Sequence, residues 1–406
     1  MTQLEHVAWL NAPATQTLVA AFEQAGQPLR FVGGAVRDAL LGRAVGDIDA
    51  ATPAHPNDIM RILQQAGIRA LPTGLAHGTV TALIDKQHIE ITTLRKDVET
   101  DGRHATVDFT DSWREDALRR DFTMNALYCT PQGEVTDYFG GIEDAKAGRI
   151  IFIGEAQQRI EEDALRILRF FRFFAGYGTG EPDATALAAC QAGRGQLDQL
   201  SGERIQQEMR KLLLSAEPLA AIQALQQAEI EPHVWAGTCQ TDALAILQAN
   251  PHPQAHDPWL RLAALLRCGE MPAKQVAFVL KRWRMSNKDA ERLSALVEAD
   301  LPDGLLDEAA QKRWLRFHGA SRFVSQVLLA WANQPDAASA WQAMLALADQ
   351  WEIPTFPVTG KDIVGLGHGA GPDIGTILLE LEAYWEDNHY APDKNALLAR
   401  VERGDL

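Results

Sequence analysis

The hydrophobic pattern of the sequence changes near residue 150, and this change limits the folds that the chain can adopt. Before it, short β-branched runs alternate with turn signals and helical stretches, which indicates a mixed α/β head. From about residue 155 onward, Leu and Ala are dense and strand-like alternation is absent, which predicts a helical remainder. The predicted strands cover residues 30–32, 46–51, 78–84 and 88–94. The fold class is therefore predicted as α+β, a mixed-sheet head followed by helices.

The length of the chain and its glycine-rich and proline-rich breaks predict several packed units. A chain of 406 residues is too long for one ordinary core. Glycine-rich and proline-rich breaks lie near residues 140–148, 176–182 and 354–357. The predicted division is a head over 1–145, a helical neck over 146–215, a helical body over 216–350 and a helical tail over 351–406.

Composition and charge restrict the compartment and the partners. The four cysteines have no paired spacing typical of zinc ligation or of a disulfide framework. No secretory leader and no apolar run of about twenty residues is evident, so we expect a cytoplasmic protein with no membrane partner. The net charge of −16 argues against a nucleic-acid partner, but binding depends on local patches. Basic residues cluster at 114–120, 159–172 and 281–288.

A glycine pair follows the first predicted strand. Gly33 and Gly34 stand between that strand and a helix, where backbone N–H groups can approach a phosphate. A Gly-Gly turn at this position can equally serve chain geometry alone.

Two aspartates follow the glycine pair at a spacing that suits metal binding. If Asp47 and Asp49 lie on a strand, its period of two places both carboxylates on one face. Such close like charges favour an intervening cation, and Mg²⁺ prefers oxygen ligands. A two-metal site would use two Mg²⁺ ions to activate a hydroxyl and to hold a triphosphate. Glu90, on a later predicted strand, is a candidate third carboxylate, and the alternative is a solvated surface glutamate.

These residues and four later segments resemble, in order, the motifs of one enzyme family. GGAVRD followed by GDID resembles the first motif of the class II nucleotidyltransferases, a group of the DNA polymerase beta superfamily that contains CCA-adding enzymes and bacterial poly(A) polymerases. The later segments are RRDFTMNAL at 119–127, the glycines with Asp144 and Arg149, EDALRILR at 162–169 and SGERIQQEMRKLL at 201–213. The resemblance implies a polymerase-beta-like head and the addition of nucleotides to an RNA 3′ end.

The resemblance also implies roles for individual residues. Gly33, Gly34, Arg37 and Arg120 would bind the phosphates, because a guanidinium fork suits phosphate oxygens. Asp121 would accept from the ribose 2′-hydroxyl, and Asn125 belongs to the same nucleotide-binding motif. The alternative is a helix face on which Asp116 and Arg120 pair four residues apart.

The fourth motif would recognise the base. Asp163 and Arg166 lie three residues apart on a predicted helix, followed by Arg169. A carboxylate beside a guanidinium matches the donor and acceptor order shared by cytosine and adenine, whereas uracil and guanine present the opposite order. The alternative is an ordinary salt bridge between Asp163 and Arg166.

Two segments help to distinguish members of the family. The polar segment 96–109 is predicted to be a mobile loop. The resemblance implies that this loop helps the switch from C to A, with Asp101 and Arg103 as its active charges. The segment 72–84 resembles the CCA-adding branch and lacks the basic GRRFRL-like stretch of poly(A) polymerases. The resemblance thus favours CCA addition to the tRNA 3′ end from CTP and ATP, with no obligate protein partner. The alternatives are a poly(A) polymerase, an A-only enzyme or a catalytically silent RNA-binding protein.

Two further features carry less weight. Lys281, Arg282, Arg284 and Lys288 surround Trp283, which could form an RNA contact or a helix end with snorkelling side chains. The His256-Asp257 dipeptide lacks the additional ligands that a metal-dependent hydrolase site would need.

Overall fold

The fold separates into two compact units. The computed structural model describes residues 2–101, 104–269, 271–298, 307–368 and 371–405. The first unit comprises Met1–Thr241 with His256–Glu291, and the second comprises Asp242–Ala255 with Arg292–Leu406. This division is coarser than the predicted head, neck, body and tail, whose boundaries stay a prediction.

The head contains all named strands of the described residues. The strands are β1 Arg30–Val32, β2 Ile48–Thr52, β3 Arg69–Gly74, β4 Thr79–Ile84, β5 Gln87–Thr93, β6 Arg95–Asp101, β7 His104–Phe109, β8 Leu127–Cys129 and β9 Val135–Asp137. The head helices are α1 Pro13–Gln24, α2 Gly34–Leu40, α3 Pro56–Gln65, α4 Trp113–Leu118 and α5 Gly141–Ala147. The four strands predicted from the sequence correspond to β1, β2, β4 and β5.

Seven strands form a mixed sheet in the order β3-β4-β5-β2-β1-β8-β9. The β2–β5 pair is parallel and the other neighbouring pairs are antiparallel. Strands β6 and β7 form a separate two-stranded antiparallel sheet. The mixed-sheet head predicted from the sequence is confirmed.

Strand β2 presents its side chains to two different environments. Ile48 and Ala50 belong to a buried cluster that includes Phe22 of α1 and Ile59 of α3. Because side chains alternate along a strand, Asp49 and Ala51 face the opposite side. Ala51 packs there in a second cluster that includes Ala117 of α4 and Tyr128 of β8. Asp49 therefore points towards the face of the sheet that α4 covers.

The remainder of the first unit is helical, as predicted. Its helices include α6 Ala156–Glu162, α7 Leu165–Tyr177, α8 Ala184–Gly193, α9 Gly202–Leu214, α10 Pro218–Gln227, α11 Glu231–Trp235, α13 Pro258–Arg267 and α14 Pro272–Arg282. Helix α7 buries Phe170, Phe171 and Leu168 almost completely. Helix α9 buries Ile205 and Met209, which lie four residues apart on one face.

The second unit is built from helices alone in its described residues. The remaining helices of the chain are α12 Asp242–Ala249, α15 Asn287–Glu298, α16 Glu308–His318, α17 Ala320–Asn333, α18 Ala338–Gln350, α19 Gly360–Gly365, α20 Pro372–Asp387 and α21 Lys394–Arg403. Leu381, Trp385 and Leu397 centre a cluster between α20 and α21. No helix within the described ranges has the length and apolar content needed to cross a bilayer.

Candidate active site

The predicted strand–glycine–helix arrangement is confirmed. Strand β1 ends at Val32, α2 begins at Gly34, and Gly33 between them has a φ of 71°, which L side chains rarely adopt. The Gly33 amide donates to the carbonyl of Leu127 at 3.0 Å. A Cβ placed on Gly33 would lie 3.7 Å from Nη1 of Arg120. The turn and this guanidinium are therefore adjacent.

Three carboxylates interact beside the turn. Asp49 of β2 is in register with Glu90 of the parallel strand β5, so their side chains leave the same face next to each other. Asp47 precedes β2 rather than lying on it, because the strand begins at Ile48. Burial raises the pKa of Asp49 to about 6, assisted by Glu90 and Asp47 and opposed by Arg120. Ionisation of Asp49 therefore costs more than that of an exposed aspartate, and a nearby cation would offset this cost.

The donor set fits a divalent cation that completes its coordination with substrate. No three His, Cys, Asp or Glu side chains within the described ranges form a ready-made metal site. Mg²⁺ is commonly held by one or two carboxylates together with substrate phosphates. Asp47 and Asp49 supply such a pair of oxygen donors, and their repulsion would be relieved by the ion. Glu90 is an electrostatic neighbour of this pair, and its role as a further ligand stays a prediction.

A buried carboxylate orients Arg120. Asp116 of α4, 1% exposed, accepts from Arg120 at 3.2 Å and from Arg119 at 2.7 Å. It also accepts from the hydroxyl of Tyr128 at 2.6 Å. Burial opposes ionisation, but Arg120 and Arg119 lower the pKa of Asp116 to about 2. The predicted alternative pairing of Asp116 with Arg120 exists, and it holds the guanidinium beside Gly33 and Asp49.

Asp121 is bound by protein groups on both carboxylate oxygens, and its ribose role stays a prediction. This residue is 8% exposed, and its Oδ1 accepts from the Phe122 amide and from Asn125 at 2.9 Å each. Its Oδ2 accepts from Arg169 Nε at 2.7 Å and Nη2 at 2.5 Å. Arg169 and Asn125 lower the pKa of Asp121, although burial opposes this effect. Both oxygens are engaged, so Asp121 positions Arg169 and Asn125 in this form of the protein.

Arg37 also has protein partners, and its contact with phosphate stays a prediction. It is 6% exposed and donates to Asn125 Oδ1 at 2.6 Å and to Asp38 at 2.9 Å. It also donates to the Tyr177 hydroxyl at 2.5 Å and stacks on that ring with its Cζ 4.0 Å from the centroid. Arg37 therefore joins α2 of the head to α7.

The fourth motif does not form the continuous helix that was predicted. Helix α6 ends at Glu162, Asp163 is extended with φ −154° and ψ 103°, and α7 begins at Leu165. Asp163 pairs with Arg204 at 2.8 Å, and Arg166 pairs with Glu162 at 2.6 Å. The prediction that Asp163 and Arg166 share a helix face is wrong, and so is the alternative salt bridge between them. Asp163 is the C-cap residue of α6, and its side chain accepts from the amide of Leu165, the first residue of α7, at 3.1 Å.

The segment predicted as a mobile loop consists largely of two strands. Arg95–Asp101 and His104–Phe109 pair as β6 and β7, so the loop prediction is wrong for these residues. Backbone pairing at alternate residues overrides the polar composition from which the loop was predicted. Asp101 ends β6 and pairs with His104, whereas Arg103 lies outside the described residues.

The basic segment around Trp283 serves the core rather than the predicted RNA surface at two positions. Trp283 is fully buried and its indole donates to the Val234 carbonyl at 2.9 Å. Arg282 donates to the carbonyls of Leu197 at 2.7 Å and Leu200 at 2.9 Å. Arg284 pairs with Glu203 at 3.0 Å. Lys281 and Lys288 are exposed, and for them an RNA contact stays a prediction.

Several site residues were missed by sequence reasoning. Glu162 pairs with Arg166 and also with Arg159, which in turn donates to the backbone carbonyls of Arg119 and Arg120. Glu208 of α9 pairs with Arg172 at 2.6 Å and with Arg169 at 3.8 Å. Spacing alone could not reveal pairs that join separate helices, but the dense charges of the fourth and fifth motifs are their signal.

Comparison with known proteins first identifies the class. The family described as "Poly A polymerase head domain" matches residues 29–151, which contain the glycine turn, Asp49 and Arg120. The family described as "Probable RNA and SrmB- binding site of polymerase A" matches residues 181–234. The head fold and its acidic site thus define a nucleotidyltransferase.

Whole-chain relatives then identify the family. The chain is 34% identical to CCA tRNA nucleotidyltransferase 1, mitochondrial, of Danio rerio, covering 95% of this chain and 89% of the relative. It is 34% identical to the CCA-adding enzyme of Latilactobacillus sakei, covering 90% and 91%. A crystal structure of the Bacillus stearothermophilus CCA-adding enzyme in complex with CTP superposes with a TM-score of 0.75 at 28% identity, covering 97% and 98%. The chain belongs to the family of CCA-adding tRNA nucleotidyltransferases.

Proposed function

We propose that this protein adds C, C and A to the 3′ end of tRNA, using CTP and ATP and releasing pyrophosphate. The observation that carries the proposal is the clustering of the glycine turn, Asp49 and Arg120 in a chain related over nearly its full length to CCA-adding enzymes. Solved structures of similar fold include a CCA-adding enzyme complexed with tRNA and another in complex with ATP.

In this reaction the 3′-hydroxyl oxygen of the tRNA forms a bond to the α-phosphorus of the nucleotide. The bond from that phosphorus to the oxygen bridging to the β-phosphate breaks, and pyrophosphate leaves with the electron pair. Arg120, held by Asp116 beside Gly33, is oriented to bind triphosphate oxygens. Because Asp116 fixes the guanidinium before substrate arrives, little reorganisation is needed at the site.

Asp47 and Asp49 would hold the metal, for which we propose two Mg²⁺ ions. When bound, such ions lower the pKa of the attacking hydroxyl and neutralise charge on the triphosphate. The support from this chain is the pKa of Asp49, raised to about 6 by burial and by its acidic neighbours. A bound cation would lower the pKa of Asp49 and so stabilise its ionised form.

Base choice is assigned to Asp163 and Arg166. Both groups have protein partners, so reading a base requires a local rearrangement or shared hydrogen bonds. The side chain of Asp163 is 31% exposed and can receive an additional donor, whereas that of Arg166 is 12% exposed. Arg169 stays a prediction in this role, because Asp121 holds it.

The proposal is tested with pure protein, Mg²⁺ and tRNA lacking its last three, two or one nucleotides. We expect C addition to the first two substrates with CTP alone, and A addition to the third with ATP alone. An A-only enzyme would extend only the tRNA that lacks one nucleotide. A poly(A) polymerase, which the description of the head family raises as a second candidate, would add A repeatedly to any of the three.

The compartment stays a prediction. Relatives in three vertebrates are named mitochondrial, and bacterial relatives are similar over comparable lengths.

A further inference from the structure

Helix α9, which carries the fifth motif, contacts the base-reading segment through two charged side chains. Arg204 pairs with Asp163 at 2.8 Å, and Glu208 pairs with Arg172 at 2.6 Å. Arg204 and Glu208 are four residues apart and therefore lie on one face of the helix. No function assigned so far uses this face.

The helix is held firmly enough to position these charges. Gly202 lies so close to the backbone of α14 that a Cβ there would be 2.1 Å from the Arg282 carbonyl oxygen. The Arg282 guanidinium holds the preceding turn through the carbonyls of Leu197 and Leu200. Ile205 and Met209 are fully buried on an adjacent face of the helix, about 100° away. The first turn of α9, which carries Arg204, therefore has a fixed location.

Arg204 contacts the Asp163 carboxylate through one nitrogen atom. A single nitrogen, Nη2 of Arg204, donates to Oδ1 at 3.0 Å and to Oδ2 at 2.8 Å. The Leu165 amide donates to Oδ1 from another direction. A carboxylate offers about four acceptor positions, so one position remains for a further donor. Because 31% of the Asp163 side chain is exposed, that donor can come from a bound molecule.

We propose that Arg204 is a positioning residue for base selection, which keeps the Asp163 carboxylate turned to accept from the exocyclic amine of cytosine or adenine. This inference rests on the proposed function. Arg166 cannot take the place of Arg204, because its Nη1 is bonded to Glu162 and to the Arg159 carbonyl. Fixing the carboxylate matters for selectivity, since a free carboxylate can turn away from the oxygen that uracil presents.

The test compares Arg204→Met with Arg204→Lys. Lysine retains one charged nitrogen, which is all that the observed contact uses, whereas methionine retains only the apolar stem. Arg210→Met is the matched control, because Arg210 is an exposed arginine of the same helix. The measurement is kcat/KM for CTP and UTP on tRNA lacking CCA, with the melting temperature of each variant recorded.

We expect Arg204→Met to lower the CTP to UTP ratio about tenfold, since the carboxylate loses a charged hydrogen-bond partner. Arg204→Lys should keep a ratio near that of the wild type, and Arg210→Met should leave it unchanged. If Arg204→Met does not fold, Arg204→Gln replaces it, because glutamine keeps a donor without the charge.

An unchanged ratio in Arg204→Met, or an equal loss of both rates, would overturn the inference. Poor selectivity in Arg204→Lys equal to that of Arg204→Met would overturn it too, since a single charged nitrogen would not suffice. Failure of the wild-type protein to add C or A would instead refute the proposed function, so the two failures are distinguishable.

Discussion

Asp49 is costly to the protein in the absence of metal. Its folded-state pKa lies near 6, above the ordinary value of 3.8, because burial and acidic neighbours disfavour the charge. Stability associated with the neutral carboxyl is therefore lost as the pH rises through 6. Asp49 therefore lowers the stability of the folded protein at neutral pH, as expected of a residue that is retained for catalysis.

Asp49→Asn should abolish nucleotide addition and yet raise the melting temperature of the protein in EDTA at pH 7.5. A shift of two pKa units corresponds to about 3 kcal/mol at most. Asp47→Ala should also abolish addition but change stability little, because Asp47 is exposed. Differential scanning calorimetry measures the melting temperatures, and a C-addition assay measures the activity. Substantial C addition by either variant would refute the assignment of that residue as a metal ligand.

Asp116 should have the opposite effect on stability. Its pKa is lowered to about 2, so its stabilising charge is present above pH 3.8 and is lost as the pH falls through 2. Asp116→Asn should cost roughly 3 kcal/mol at pH 7, and the part due to ionisation should shrink below pH 4. The control is Asp58→Asn, which removes an exposed pair with Arg61 and should cost less than about 1 kcal/mol. Equal urea midpoints for the two variants at pH 7 would contradict the expectation that Asp116 contributes more to stability than Asp58 does.

Asp163→Ala tests the base-reading assignment. The exocyclic amine of the correct base loses its acceptor, which should lower kcat/KM for CTP by about one to two powers of ten. Because the carboxylate also repels the oxygen of uracil, the gap between CTP and UTP should narrow. Measurement of kcat/KM for CTP, ATP, UTP and GTP tests the assignment. An unaltered ratio of the CTP and UTP values would refute base reading by Asp163.

At the scale of elements, the hairpin β6–β7 is bonded directly to Asp116, which holds the arginine proposed to bind the nucleotide. The Arg95 amide at its base donates to Asp116 Oδ1 at 3.2 Å, and Asp116 also holds Arg120. A change in the hairpin can therefore reach the guanidinium predicted to bind phosphate. This contact gives a physical route for the predicted influence of the segment on the switch from C to A.

Arg103→Ala, or deletion of residues 99–104, should impair the final A addition much more than the two C additions. The reason is the proposed action of this segment at the switch, when the site changes from cytosine to adenine. Single-turnover assays on tRNA lacking one or three nucleotides separate the steps. Equal loss of both steps would mark the hairpin as a general structural element, and unaffected A addition would exclude it from the mechanism.

The elements differ in how well the sequence predicts them, for local reasons. The β1–α2–β2 unit was predictable because apolar alternation, the Gly-Gly turn and the spacing of the acidic residues agree. The break at Asp163 was not, because Glu-Asp-Ala-Leu is compatible with a helix. Arg204, distant in sequence, and the Leu165 amide fix the extended backbone there. Likewise, the ion pair between Asp121 and Arg169 joins residues that lie 48 positions apart, which local spacing does not reveal.

At the scale of the molecule, polar side chains join the head to the helices that follow it. Tyr177 of α7 accepts from Arg37 and donates to Asp38 at 2.9 Å. Arg43 adds a stacking contact, with its Cζ 4.5 Å from the centre of the Tyr177 ring. A second series runs from Arg37 through Asn125 and Asp121 to Arg169.

Tyr177→Phe should lower the free energy of unfolding by about 1 to 3 kcal/mol, because Arg37 is left with a missing acceptor in a buried site. Tyr138→Phe is the control, since the Tyr138 hydroxyl has no hydrogen-bond partner among the described residues. Chemical denaturation compares the two. Equal stability of both variants would show that the Tyr177 hydroxyl contributes nothing to the junction.

The shared polar series also limits how such enzymes can be recombined. Asp121 of the head forms an ion pair with Arg169 of α7, so each segment supplies a charge whose partner lies in the other segment. A chimaera that takes its head from one relative and its helices from another would leave buried charges without partners unless both donors carry the same pairs. The head and the helices that follow it must therefore change together at the paired side chains. Exchange of whole segments between relatives would test whether their charged pairs match.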